Sequence, residues 1–486
     1  MISQAGAAVT TTRERCEDFY TKLSTDDPWP KNQCGSSLAW GEAAVIHAIL
    51  DFYEVTGDPK YLREVVRRGD RMLSHRDDAR GFEDSTGKAH KAWSMARKYT
   101  VAEGVLLDSS GTPVVRVRSV PYAYNDQTKA VVTATGGGFS MSVTNEYYHR
   151  DETFADLSLD PKSPRYFERI VNDTTPTPNP DRADSSGTSQ LVKLIPLGKT
   201  GLPKSQSVTL KPLWLAYCGY IGIIYHPLLR FADLVKPDPK LKDFEPDADR
   251  FIRAADESYD EFRTHFRTGP GKDEGYYITC ERGGAFPYDN LPEPFNYLGE
   301  HTASELLLYK LTGKPIYKDH AECMARLFKH RLKLMPGNLY VWHYWYEPVT
   351  VGYTRQDDIL DNYPELAPRA AIEDVSHGTL DVRLAIDAAR AGIVFNRTDL
   401  RRFANTFLKN VCLPDKSGFN GRVDGTAKET KYGRTGVSGW LPLAEVDPKV
   451  YEACREVYIN RGQEGFGSLA RLLLWEKRLA RPALPQ

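Results

Sequence analysis

Residues 38–78 read LAWGEAAVIHAILDFYEVTGDPKYLREVVRRGDRMLSHRDD, two apolar-periodic stretches joined by TGDP. Apolar positions recur at helical spacing up to Thr56 and again from Tyr61 to Leu73. Gly57 stops the first helix because a residue without Cβ enters the left-handed region freely, and Asp58 and Pro59 cap and open the second. Residues 297–333, YLGEHTASELLLYKLTGKPIYKDHAECMARLFKHRLK, repeat this plan with LTGKPIY where VTGDPKY stood. A looser third copy runs from His377 to Val411, with AGIVFNRTDL at its turn and Thr398 as the expected N-cap. Further helical pairs are expected at about 213–266 and about 438–479, and an outer helix around Thr10–Leu23.

Units of about 35–45 residues built as helix, Gly-containing turn, helix signify stacked helical hairpins. Long, unequal, aromatic-rich loops between them favour closure over an open solenoid, which keeps a tighter period. The expected fold is therefore mainly α: an (α/α) toroid of five or six helical hairpins with an antiparallel β insertion. Its first part is 1–97, the β-rich insertion 98–210, and the remainder of the helical toroid 211–486. The insertion is read from PVVRVRSVPYAYN, KAVVTATGGGFSMSVTN and QLVKLIPL, which alternate apolar and polar residues between DSSG and TGGG turns. Its tip, NDTTPTPNPDRADSSGTS (172–189), has the composition of a mobile loop. The insertion either covers a rim and helps bind substrate or mediates self-association, and the sequence leaves both open.

Composition narrows the function. Lys plus Arg is 64 against 65 for Asp plus Glu, so no net field draws the chain to nucleic acid or anionic lipid. The N-terminal stretch has no basic run followed by an apolar core, and no stretch of about 18 apolar residues occurs, so a cytoplasmic protein without a membrane partner is expected. Seven scattered cysteines with no C-x-x-C pair argue against a disulfide framework and against zinc. Walker, G-x-G-x-x-G, H-E-x-x-H and G-x-S-x-G motifs are missing, and no cofactor and no metal are expected. The H-x-x-x-D of HGTLD offers two ligands one turn apart but no third, and His47, on the apolar face AAVIHAIL, reads as a core histidine. Twenty-seven tyrosines and 8 tryptophans, several in polar surroundings, suit a polyhydroxylated ligand such as an oligo- or polysaccharide.

In a ring of hairpins, the starts of the inner helices converge. Those starts carry Trp40 and Glu42 (SLAWGE), Asn296, Tyr297, Glu300 and His301 (FNYLGEH), and Glu373, Asp374 and His377 (EDVSHG). Any one acid there complements the helix dipole, yet three accompanied by Trp, Tyr or His point to a shared cavity. NLYVWHYWYEP (338–348) adds Trp342, His343, Tyr344 and Tyr346, of which alternation lets about half reach one pocket. An upstream loop adds Arg282, a partner for a surface carboxylate or a uronate.

The TGDPKYL and TGKPIY turns, the Trp-Gly-Glu and Gly-Glu-His helix starts and the aromatic loops resemble the (α/α) toroid superfamily of glycosidases, polysaccharide lyases and uronyl epimerases, over about three quarters of the chain. The resemblance implies β-elimination on a uronic-acid-containing glycan. Arg282 or Asn296 would then meet the carboxylate, His377 or Tyr344 act as base, and Tyr344 or Tyr346 protonate the leaving oxygen. A C5-epimerase would use much the same set. Inverting hydrolysis would instead pair Glu300 with Glu373 or Asp374, with carboxyl groups about 6.5–9.5 Å apart. A non-catalytic helical scaffold would leave EDVSHG as a capped helix start and nothing more.

Overall fold

The computed structural model describes residues 2–29, 34–96, 100–121, 123–172, 189–198, 201–462 and 465–480, with side chains described from residue 12 onward. Apart from its two ends, the tip at 172–189 lies outside the described residues. The first helices are α1 (Ile2–Asp26), α2 (Gly35–Ser37), α3 (Ala43–Thr56), α4 (Pro59–Ser74) and α5 (Asp77–Arg80). α6 (Gly219–Val235), α7 (Glu245–Glu261), α8 (Phe295–Thr312), α9 (Pro315–His330) and α10 (Val375–Arg390) follow the main sheets. α11 (Arg397–Thr406), α12 (Lys431–Gly436), α13 (Lys449–Arg461) and α14 (Phe466–Leu479) complete the helical part. No helix among the described residues is long and apolar enough to cross a membrane.

The expected hairpin turns form as their chemistry dictates. Gly57 and Gly313 both take φ of 73° at the C-caps of α3 and α8. Asp58 accepts the Lys60 N–H at 2.9 Å, and Pro59 and Pro315 open α4 and α9. In the third turn the cap is Asn396, not Thr398: its side chain accepts from the N–H groups of Thr398 and Asp399, and Asp399 reciprocates in a capping box.

The expectation of a mainly α toroid with a β insertion is overturned. Of the described residues, 50% are helical and 17% are in strands, a mixed α and β fold. Two four-stranded antiparallel sheets carry most of the strand content. The first joins β2 (Ala102–Leu107), β3 (Pro113–Ser119), β7 (Val192–Pro196) and β9 (Lys211–Pro212) in the order β7-β3-β2-β9. The second joins β4 (Thr128–Ala134), β5 (Phe139–Asn145), β6 (Arg150–Leu157) and β8 (Gln206–Thr209) in the order β6-β5-β4-β8. Leu106, Val115 and Val117 from one and Met141, Val143 and Phe154 from the other share a core of their own. Strand pairing also extends outside 98–210. Ser94–Met95 (β1) pairs with Leu215–Ala216 (β10), Phe266–Thr268 (β11) with Gly275–Tyr277 (β12), and Lys333–Met335 (β13) with Leu339–Val341 (β14). Strands of two or three residues are too short for a period of two to show in sequence.

The helices that matter for the site pack side by side: α6 on α8, α8 on α10, and α3 on α6 and α14. Glycines make two of these approaches close. A Cβ on Gly222 would lie 2.8 Å from the His301 backbone nitrogen, and one on Gly299 2.6 Å from the Leu380 carbonyl oxygen. α6 and α8 run in the same direction, since Gly219 abuts Tyr297 and Gly222 abuts His301. α8 and α10 do likewise, since Gly299 abuts Leu380 while the Arg383 guanidinium reaches Glu300 at 2.6 Å. The N-terminal ends of α6, α8 and α10 therefore share one end of the assembly.

Candidate active site

Asp374 caps α10. Its Oδ1 accepts from the N–H groups of Ser376 (2.8 Å) and His377 (3.0 Å), while its Oδ2 lies 2.5 Å from His377 Nδ1. One carboxylate thus closes the helix and fixes the imidazole. Burial raises the Asp374 pKa, but the hydrogen bond and charge of His377 outweigh it and bring it down to about 2. With Nδ1 held, Nε2 is the ring nitrogen left for a ligand; this tautomer is assigned from the hydrogen bond.

Aromatic rings surround this dyad. His377 sits 5.2 Å from the Tyr344 ring and 6.3 Å from Trp40, and Trp40 meets Tyr297 at 5.7 Å. Trp40 is 42% exposed, a large apolar face presented to solvent beside an ionisable group. Burial, then the neighbouring Tyr297 and Glu373, pushes the Tyr344 hydroxyl well above its usual range, so it stays protonated. Asn296 sits on the first turn of α8, one turn before Gly299, as His377 sits one turn before Leu380 on α10. The two are consequently level. Asn296 is fully buried, and neither its Oδ1 nor its Nδ2 has a hydrogen-bond partner among the described residues.

Behind the dyad lie two buried acids. Glu373 and Asp381 are both fully buried, and the Trp342 indole N–H donates to Asp381 Oδ2 at 2.7 Å. Burial and the Asp381 charge push Glu373 well above the usual carboxylate range, and burial lifts Asp381 to about 7. Two carboxyl groups that cannot both ionise hold a proton between them. Asp381, which with His377 makes up the H-x-x-x-D spacing, belongs to this carboxyl pair. Glu373, Asp374 and His377 do place one ligand atom each within 4.8 Å of one another. The oxygens of Asp374, however, are engaged by the helix start and by His377.

Glu293 was missed by the sequence reading, being a fully buried residue within LPEP, a stretch that reads as loop. Its Oε2 accepts from the Tyr217 hydroxyl at 2.6 Å, and its Oε1 has no hydrogen-bond partner among the described residues. Gly219 leaves it room: a Cβ there would lie 2.7 Å from Tyr297 and 3.0 Å from Glu293 Oε1. Burial lifts the Glu293 pKa from the ordinary 4.5 to about 8, only partly countered by Tyr217. The folded protein therefore holds this proton more tightly than the unfolded chain does. The associated stability is complete below pH 4.5 and is lost as pH rises through about 8. At about 1.4 kcal/mol per pKa unit the loss amounts to a few kcal/mol. Glu293→Gln, neutral throughout, should flatten the decline of the unfolding temperature across that window. An unchanged slope would assign the decline to other groups.

The other sequence-designated residues are placed elsewhere. Glu300 is ion-paired with Arg383 at 2.6 Å and contacts His226 at 3.2 Å, deeper between the helices. Glu42 is buried against Arg68 at 2.7 Å, an interior ion pair. His301 is buried, stacked on Tyr277 at 4.2 Å with Nδ1 3.1 Å from the Tyr259 hydroxyl, and burial lowers its pKa to about 3. Tyr346 is buried, donating to the Glu293 carbonyl at 3.0 Å, and Trp342 is core. His343 pairs in a backbone bridge with Ile372, one residue before the Glu373–Asp374 segment. Arg282 is held by Asp358 and Asp361 on an outer loop, apart from the dyad. Of the fourteen, the structure brings Asp374, His377, Tyr344, Trp40 and Tyr297 into one cluster of contacts, with the buried Glu373 and Asn296 next to Asp374 and Tyr297 in the chain.

No protein-family model and no curated protein matches this sequence.

Proposed function

We propose that the protein is a carbohydrate-active enzyme that cleaves a uronic-acid-containing glycan by β-elimination. The observation that carries this reading is the Asp374–His377 dyad at 2.5 Å, set among the rings of Trp40, Tyr297 and Tyr344. Sugar C–H faces stack on such rings, and a half-exposed imidazole with Nδ1 on a carboxylate has Nε2 free to take a proton.

In the proposed step His377 Nε2 removes the proton at C5 of the uronate, and Asp374, held ionised, stabilises the imidazolium. The electron pair of the C5–H bond forms the C4–C5 double bond as the C4–O bond breaks. The leaving oxygen takes the Tyr344 hydroxyl proton. The amide of Asn296, otherwise unpartnered, receives the substrate carboxylate and stabilises the charge that develops at C5. The net result is two sugar chains, one ending in an unsaturated uronate.

The test is a panel of uronate and neutral polysaccharides incubated with the purified protein. Ultraviolet absorbance of the new double bond and reducing ends are followed together. A rise in both on a uronate polymer is expected. Reducing ends without absorbance would replace elimination by hydrolysis. Silence in both, with no solvent deuterium at C5, would remove the enzymatic reading.

A further inference from the structure

A cavity lined by charged side chains lies between α3, α6, α10 and α14, further along the helices than the dyad, and holds about 140 Å³ of space. α6 contributes Arg230, α10 Arg383 and Arg390, and α14 Arg471 and Arg478 to its wall. Arg390 and Arg478, with side chains 44% and 36% exposed, form the mouth. His47 and His226 line it as buried residues, their rings 4.7 Å apart. His226 and Arg383, the two partners of Glu300, line this cavity, which explains why Glu300 stands apart from the dyad.

The wall presents five guanidinium groups and two carboxylates, Asp51 and Asp387. Glu54, Glu300 and Glu445 pair with the arginines without lining the space. Counting these three, the formal charges balance. What remains in excess is hydrogen-bond donors. Asp51 serves both Arg230 (2.7 Å) and Arg471 (2.9 Å), and Glu54 serves both Arg230 and Arg478. Arg471 gives only its Nε to Asp51, and Arg383 gives Nη1 to Glu300 and His226. Each guanidinium carries five N–H donors in a rigid fork, so several on the wall have no acceptor among the described residues. Burial opposes ionisation of Asp51, yet Arg471 and Arg230 hold its pKa below the usual range. Burial, then His226 and Arg383, keeps His47 neutral.

We propose that this cavity binds a small tetrahedral oxyanion of the phosphate or sulfate class, separate from the glycan site. The space is well below the roughly 300–1,000 Å³ of pockets for larger organic ligands, and planar guanidinium forks match the oxygens of such an ion. The anion completes the donors that the five carboxylates leave over and ties four helices together.

Isothermal titration of the full chain with sodium sulfate and sodium phosphate, against sodium chloride at matched ionic strength, tests this directly. Saturable binding with one site is expected. Arg471→Gln should weaken it about tenfold or more, as loss of a charge-assisted hydrogen bond does. Arg390→Gln, at the mouth and paired with the part-exposed Asp387 and Glu445, tests the site without unpairing a fully buried acid, and should weaken binding as well. A sugar phosphate binding at least as tightly as phosphate would identify an ester as the anion's carrier; weaker binding would identify the free ion. Heats no larger than those of chloride, or affinities unchanged in both variants, would overturn the proposal.

Discussion

Replacing His377 by Ala is expected to abolish most turnover on a uronate polymer, lowering kcat by about 10²–10⁴-fold, the contribution of a positioned general base. KM should change little, because the rings of Trp40 and Tyr297 remain to hold the sugar. Asp374→Asn is the more discriminating variant. The side-chain oxygen can still accept at the start of α10, but the amide N–H now faces Nδ1, which must accept. The proton of the neutral ring then sits on Nε2, the atom required as base, so kcat should fall although the helix cap survives. A helix start that only caps would show the opposite pattern: lowered unfolding temperature in Asp374→Ala and turnover untouched in His377→Ala. That pattern would sink the proposed mechanism.

Trp342→Ala is expected to give the largest loss of stability, about 3–5 kcal/mol for a large buried aromatic. Trp342 is 2% exposed and packs on Phe403 (5.4 Å), Phe328 (5.8 Å) and Trp440 (6.2 Å). It is also the donor to Asp381, so truncation leaves a buried acid short of a partner at a further cost of about 1–3 kcal/mol. Trp342→Phe keeps an aromatic ring and most of the volume while losing the donor. The difference between the two variants in denaturant midpoint separates packing from hydrogen bonding. Equal losses would mean that the Asp381 contact, not the aromatic cluster, holds this part of the core.

The helical hairpins were legible because their signals are local. Gly57 and Gly313 stop helices by backbone freedom, and Pro59 and Pro315 start them by a fixed φ, whatever surrounds them. The third turn was misread by two residues because Asn396 and Thr398 are both good caps, and only the backbone decides which one accepts. The architecture was misjudged for a different reason. Pairings such as Ser94 with Ala216 join segments more than a hundred residues apart through strands of two residues, too short to leave a periodic trace.

The site divides in the same way. EDVSHG carried its own chemistry, since an aspartate three residues before a histidine at a helix start can cap the helix and hold the ring at once. Glu300 and His301 looked equivalent to it in sequence, yet the packing of α8 between α6 and α10 turned Glu300 to Arg383 and His301 to Tyr259. Glu293 gave no signal, because its raised pKa comes from burial. By itself the sequence determined the helical hairpins and the turns at Gly57 and Gly313, set by residues within a few positions of each other, and left Glu373 and Asp374 as alternative partners for His377. Only the tertiary structure decided which acids are desolvated, which are paired with arginine and which rings meet the imidazole, because burial and charge contact depend on neighbours distant in the chain.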